Sequence, residues 1–175
     1  MDLMLALRDG DPSALEALVG RYWEPLVRYA VRLLHSVDVA EDAVQDAFLT
    51  VWEERKSWKP VGTPQAYLYR IVRNRALQEV RIGELHARKA PEVARRRPTV
   101  PTPLEVTAGR ELDRAFQEAL DALPDRRRDA FVLRRYHRLT LAEVAETMGV
   151  SPQTVSNHVS MAVAELRKAL QTYLP

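Results

Sequence analysis

Between Thr140 and Leu170 the sequence carries two helix starts and one stop in quick succession. Thr140 and Glu143 have the spacing of a capping box, and Leu141, Val144, Ala145 and Met148 follow at i, i+3, i+4 and i+7 of a short amphipathic helix. Gly149-Val150 supplies a tight turn, and Ser151-Pro152 caps a second helix with the stripe Val155, Val159, Ala162, Val163, Leu166 and Leu170. Cap, short helix, glycine turn, cap and longer helix in that order spell a helix-turn-helix. A plain helical hairpin has the same periodicity, but the doubled caps around so short a turn favour DNA binding. The N-terminal part of a recognition helix meets base edges in the major groove. With the stripe facing inward, the outward residues are Gln153, Thr154, Asn157, His158 and Met161. Gln and Asn can pair with adenine, and Thr or Met can meet the thymine methyl. The helix has no Lys or Arg before Arg167 and Lys168. Affinity for the DNA backbone scales with phosphates neutralised, so this domain alone should bind weakly.

Helical periodicity also dominates upstream, and no stretch alternates as a strand would. Asp11-Pro12-Ser13 opens a helix with Leu15, Leu18, Val19, Tyr22, Leu26, Ala30 and Leu33 along one side. A second is expected to open at Asp38, with Glu41 closing a capping box, and to bury Ala40, Ala43, Val44, Ala47, Phe48 and Val51. The turn-rich stretch from Lys56 to Pro64 reads as a loop, and a third helix runs from Thr63-Pro64 to about Gly83. From Glu84 to Thr107 the apolar pattern fails. That stretch holds Arg95-Arg96-Arg97 and the prolines Pro91, Pro98, Pro101 and Pro103. Leu112, Ala115, Phe116, Ala119, Leu120 and Leu123 then start a second bundle, and Pro124-Asp125 restarts the chain. The expected fold is all-α: a helical bundle over 1–85, a flexible basic and proline-rich linker over 86–107, and a bundle with the helix-turn-helix over 108–175.

Charge is unevenly spread. Residues 1–50 hold 4 Lys/Arg against 9 Asp/Glu, residues 51–100 hold 12 against 5, and residues 101–175 hold 10 against 10. An acidic front and a basic middle suit partners of opposite character. The absence of cysteine excludes disulfides and thiol chemistry. The four histidines are scattered without ligand spacing, so neither a metal nor another cofactor is expected. No apolar run nears the ~20 residues of a membrane helix, and the start at Met1-Asp2 lacks signal-peptide order. These features point to a cytoplasmic protein with no membrane insertion.

Two further faces carry function. On the third helix Tyr67, Arg70, Asn74 and Arg81 fall near one side, flanked by Arg73 and Arg75, with Trp58 and Lys59 in the loop before them. Rings among arginines suit single-stranded DNA, where bases stack and cations follow phosphates. The bland alternative is that Tyr67 and Tyr69 belong partly to the core. On the second helix Asp42, Gln45, Asp46, Leu49 and Glu53 form an acidic outer face beside Trp52. That face repels DNA and suits a protein partner, with charge to steer and apolar groups to anchor.

The runs AEDAVQDAFLTVWE, TPQAYLYRIVRNRAL and ALDALPDRRRDAFVLRRYHRLTLAEVAETMGVSPQTVSNHV closely resemble the extracytoplasmic-function (ECF) sigma factors of bacterial RNA polymerase. The resemblance covers nearly the whole chain. It implies a non-enzymatic transcription initiation factor whose first domain docks on the clamp coiled coil of core polymerase through Asp42, Gln45, Asp46, Leu49 and Trp52. It implies recognition and melting of the minus-10 element by Trp58, Lys59, Tyr67, Arg70, Arg73 and Asn74, with a flipped base trapped near the Trp58 loop. It implies minus-35 readout by Gln153, Thr154, Asn157, His158 and Met161, with the second domain on the polymerase flap and the linker threading toward the active centre. Promoter DNA would thus be met both as duplex and as single strand. Many members of the family are held inactive by an anti-sigma factor, which makes one a candidate partner. The family usually has arginines where His158 and Met161 stand, so minus-35 readout is expected to be weaker or altered.

A luxR-like helix-turn-helix regulator, which TVSNHV also resembles, would leave the first 85 residues without a task. A helical hydrolase built on Asp42 and Asp46 lacks convergent partners for those carboxylates. The chain ends soon after the recognition helix, so no further C-terminal domain is expected.

Overall fold

The computed structural model describes residues 3–57, 62–89 and 110–173. Trp58, Lys59 and the linker stretch with Arg95, Arg96 and Arg97 lie outside the described residues. The chain divides into two compact units, Met1–Pro101 and Thr102–Pro175.

Unit 1 is built from α1 (Leu3–Arg8), α2 (Pro12–Leu34), α3 (Val37–Glu54) and α4 (Pro64–Lys89). No helix is expected from the sequence before Asp11. The six residues of α1 lack a cap signal but bury Ala6 and Leu7. Gly10, at φ 88, turns the chain into α2, where the Asp11 carboxylate accepts from the Ser13 backbone N–H at 2.9 Å and Pro12 takes the first helical position. His35, left-handed at φ 56, ends α2.

The start of α3 differs from the expected Asp38 capping box. The cap is Ser36, whose hydroxyl accepts from the Val39 N–H at 3.4 Å. With α2 ending at His35, the next residue already has the extended backbone a cap needs, and Asp38 falls inside the first turn, favourably placed at the helix's positive end. The expected buried set of α3 is the observed one. In α4 the Thr63 hydroxyl accepts from the Ala66 N–H at 3.2 Å, and the helix continues to Lys89, past the Gly83 end read from the sequence.

Helices α2, α3 and α4 pack on one another around Leu18, Leu26, Ala30, Val44, Ala47, Leu68 and Val72. Aromatic pairs seal the core: Tyr29 against Tyr69, ring centres 5.3 Å apart, and Trp23 against Phe48 at 6.3 Å. Burying such rings removes some 150–250 Å² each from water and holds helix axes in register.

Unit 2 comprises α5 (Arg110–Asp121), α6 (Asp125–Arg135), α7 (Leu141–Met148), α8 (Pro152–Ala169) and a terminal 3-10 turn, Gln171–Tyr173. Leu120, Leu123, Leu133, Leu139, Val144, Val155, Ala162 and Leu166 form its core. Val163, expected on the buried stripe, is 39% exposed. It follows Ala162 by one residue, a rotation of about 100° that carries it off the stripe. Arg127 on α6 pairs with Glu165 on α8, pinning α8 to the bundle.

Candidate protein and nucleic-acid interfaces

The helix-turn-helix is fixed by its caps. Thr140 Oγ1 accepts from the Glu143 N–H at 3.2 Å, and the Glu143 carboxylate accepts from the Thr140 N–H at 2.8 Å, so the capping box is complete. Gly149 takes φ 66, a left-handed value that glycine adopts without penalty. Two residues later Ser151 Oγ accepts from the Thr154 N–H at 3.1 Å and starts α8. Every orphan donor satisfied at these ends strengthens the angle between α7 and α8.

On the outer side of α8, Gln153 and Asn157 are exposed and joined, Gln153 Nε2 donating to Asn157 Oδ1 at 3.1 Å. Met161 is 46% exposed and His158 half-buried. Thr154, expected on the outward side, is part of the cap of α8. Its hydroxyl lies 2.8 Å from Ser151 Oγ inside the cap, and it is half-buried.

The outer side of α3 exposes Asp42, Gln45 and Leu49, the last 51% exposed. Asp46 is not a bare carboxylate: Arg75 of α4 reaches it at 3.1 Å. Trp52 is half-buried, and the Arg55 guanidinium stands 4.2 Å from its ring centre. A cation over an indole face both orients the ring and covers that face. The Nε of Arg55 is buried without a hydrogen-bond partner among the described residues. Neither Arg75 nor Arg55 stood out in the sequence as a partner of this face, because both contacts depend on how chain segments meet.

On α4, Arg70 and Asn74 are exposed and Arg73 is half-buried. Tyr67 follows the alternative that placed it partly in the core rather than the reading of an open stacking ring. It is only 9% exposed, and its hydroxyl donates to Glu54 Oε2 at 3.1 Å. Burial, then Glu54, raises its pKa above the ordinary 10.0, against a smaller lowering by Arg70. The Arg70 guanidinium lies 5.4 Å from the Tyr67 ring centre. The buried ring thus supports an exposed cation, and Arg70 with Asn74 is what this face offers to a ligand. Among the described residues no cluster of three or more His, Cys, Asp or Glu could hold a metal ion, and no helix is long and apolar enough to cross a membrane.

Comparison with known proteins assigns both units. Residues 18–83 match the family model of sigma-70 region 2, and residues 113–166 match that of sigma-70 region 4. SigL of Mycobacterium tuberculosis, an ECF RNA polymerase sigma factor, is 30% identical over 92% of this chain and 91% of its own length. The chain belongs to the ECF sigma factors.

SigE of Mycolicibacterium smegmatis is 32% identical over 92% of this chain, which spans 64% of that relative's length. SigW of Bacillus subtilis is 25% identical, covering 94% and 93% of the two chains. The fold is shared with the sigma factor RpoE of Bartonella quintana, solved with the anti-sigma factor NepR (TM-score 0.74, 23% identity, 89% of this chain and 96% of that one). It is shared also with CnrH, solved with the cytosolic domain of CnrY (TM-score 0.71, 22% identity, 97% and 96%). A luxR-like regulator is set aside, because the first half of this ECF sigma factor is a region 2.

Proposed function

We propose that this ECF sigma factor binds core RNA polymerase through the exposed side of α3, opens the minus-10 element with α4, and reads the minus-35 element with α8. The observation that supports the reading is the placement of chemically distinct faces on neighbouring helices of region 2. An acidic and apolar face with exposed Leu49 suits a basic protein partner, and the cation-bearing face of Arg70 and Asn74 suits a nucleic-acid strand. On this reading Asp42, Gln45, Asp46, Leu49 and Trp52 meet the polymerase clamp. Arg70, Arg73 and Asn74, with Tyr67 beneath them and Trp58 and Lys59 in the preceding loop, meet the melted strand. Gln153, Asn157, His158 and Met161 meet duplex base edges, with Thr154 at their margin, while unit 2 packs on the flap.

Domain limits of 1–85 and 108–175, with 86–107 as linker, follow the same reading. Melting is captured by binding, with no covalent step and no catalytic residue. Placement in the cytoplasm beside polymerase belongs to the proposal. So does control by an anti-sigma factor, by likeness to the RpoE–NepR complex.

Reconstitution with core polymerase, followed by sequencing of transcripts made from genomic DNA, tests the proposal. Transcript starts should share a minus-10 and a minus-35 element. A chain that forms no complex with core refutes it.

A further inference from the structure

Arg138 holds a left-handed backbone, φ 57, although it is not glycine. That conformation is costly for an L-residue with a Cβ and free for glycine. His35, the other such residue described, closes α2 against α3. Arg138 likewise lies in a junction, the turn from α6 into α7, where the Leu139 N–H donates to the Leu133 carbonyl at 3.1 Å, but its side chain is exposed. Arg135, in the last turn of α6, is exposed as well.

The arginines of this segment divide in two. Arg127 pairs with Glu165, Arg128 with Asp125, and Arg134 donates to the Leu139 carbonyl, so these are built into the fold. Arg126, in the first turn of α6, and Arg135 and Arg138, at and beyond its end, pair with no acidic side chain among the described residues, and only the last two adjoin the turn into α7. The negative end of α6 accounts in part for Arg135. It does not account for Arg138, which stands beyond the helix.

Placement gives these cations a use. The eight residues of α7 make a helix about 12 Å long, joined at one end to the Arg138 turn and at the other, through Gly149, to the start of α8. The DNA major groove is also about 12 Å wide. With the first turn of α8 in the groove, the start of α7 stands over the backbone that borders it. The exposed side of α8 has no Lys or Arg from Pro152 to Leu166, so its grip on phosphate must come from elsewhere in the unit.

We propose that Arg135 and Arg138 form a phosphate-binding clamp for the duplex backbone beside the minus-35 element, supplying the cations that the recognition helix lacks. The clamp rests on the sigma-factor reading of unit 2. It fixes position and carries no base preference.

The test is promoter binding by holoenzyme, assembled from core polymerase and the full chain, as a function of salt. The variants are Arg135→Ala, Arg138→Gly and Arg138→Lys. Each charge removed should lower the slope of log affinity against log salt by about one, on native and scrambled minus-35 duplexes alike. Arg138→Lys should keep the wild-type slope. Arg138→Gly should at the same time raise Tm, because glycine relaxes the φ 57 turn; a more stable protein that binds DNA less well cannot owe the loss to unfolding. Unchanged slopes in variants that still bind core would overturn the clamp alone. Loss of core affinity with unchanged DNA slopes would assign the arginines to a protein contact and overturn it too. Failure of the wild-type chain to bind core would remove the underlying sigma-factor reading as well.

Discussion

The Tyr67 hydroxyl donates to Glu54 Oε2 at 3.1 Å, joining the end of α3 to the start of α4 across thirteen positions of sequence. Arg70 rests over the same ring. The two faces assigned to polymerase and to the melted strand therefore share a joint, and Glu54 sets the position of a cation it does not touch. Replacing Glu54 by Ala should cost unit 1 about 1 kcal/mol, since the carboxylate is exposed and a hydrogen bond there is partly replaced by water. It should slow strand opening several-fold while leaving core binding intact, and Glu54→Gln should restore most of the opening rate. Fluorescence of a base analogue in the minus-10 element follows the opening step. Equal losses of opening and of core binding would count against the joint.

Alkaline pH should weaken unit 1 through its tyrosines. Tyr67 and Tyr69 both have pKa values raised above the ordinary 10.0, chiefly by burial. Once pH passes about 10 the unfolded chain loses protons that the folded chain keeps, so stability is whole below that point and falls above it. Thermal melts between pH 8 and 11 should show this decline, with a shallower slope in Tyr69→Phe.

The capping box offers a test of how rigid the helix-turn-helix must be. Thr140→Ala removes the hydroxyl that accepts from the Glu143 N–H and should cost about 1 kcal/mol. In a unit of this size that corresponds to a Tm lower by roughly 4–8 °C. Transcription from promoters with a strong minus-35 element should fall more than from promoters reliant on minus-10. An unchanged Tm would show that the cap contributes nothing to unit 2.

Gln153 and Asn157 should act as one reader. Whichever amide donates within the pair, the outward array retains both a donor and an acceptor, which matches the N6 and N7 edge of adenine. Asn157→Ala should cost about 1–3 kcal/mol of discrimination at one base pair. The double variant should lose less than the sum of the single losses, because either single change already disrupts the partner. Binding to a library of minus-35 variants measures both, and strict additivity would dissolve the pair.

Much of this was legible in the sequence where the deciding interaction is local. The caps at Asp11, Thr140 and Ser151 each join residues two or three positions apart, so the side chain that ends a helix is written beside it. The buried set of α3 followed from periodicity alone. The Ser36 start was missed because Asp38 and Glu41 offered a second plausible cap, and the choice was made by where α2 ends. Helix α1 was missed because six residues carry too little pattern to distinguish from coil. At the candidate interfaces the types of residue were readable but their company was not. For Tyr67 the sequence left an open ring and a core ring side by side, and only Glu54 and the surrounding core decide between them; the partners of Asp46 and Trp52 come from other turns or another helix.

The Arg75–Asp46 ion pair changes what docking on α3 would involve. On the proposed docking mode, a polymerase cation arriving at Asp46 would replace a cation already present, so the step would be an exchange, with one contact broken for one made. Exchanges of this kind release few counterions and gain little Coulomb energy, which makes the contact a poor source of affinity and a good discriminator of geometry. The displaced Arg75, charged throughout, would be released from its partner on the helix that bears Arg70 and Asn74 at the moment polymerase is engaged.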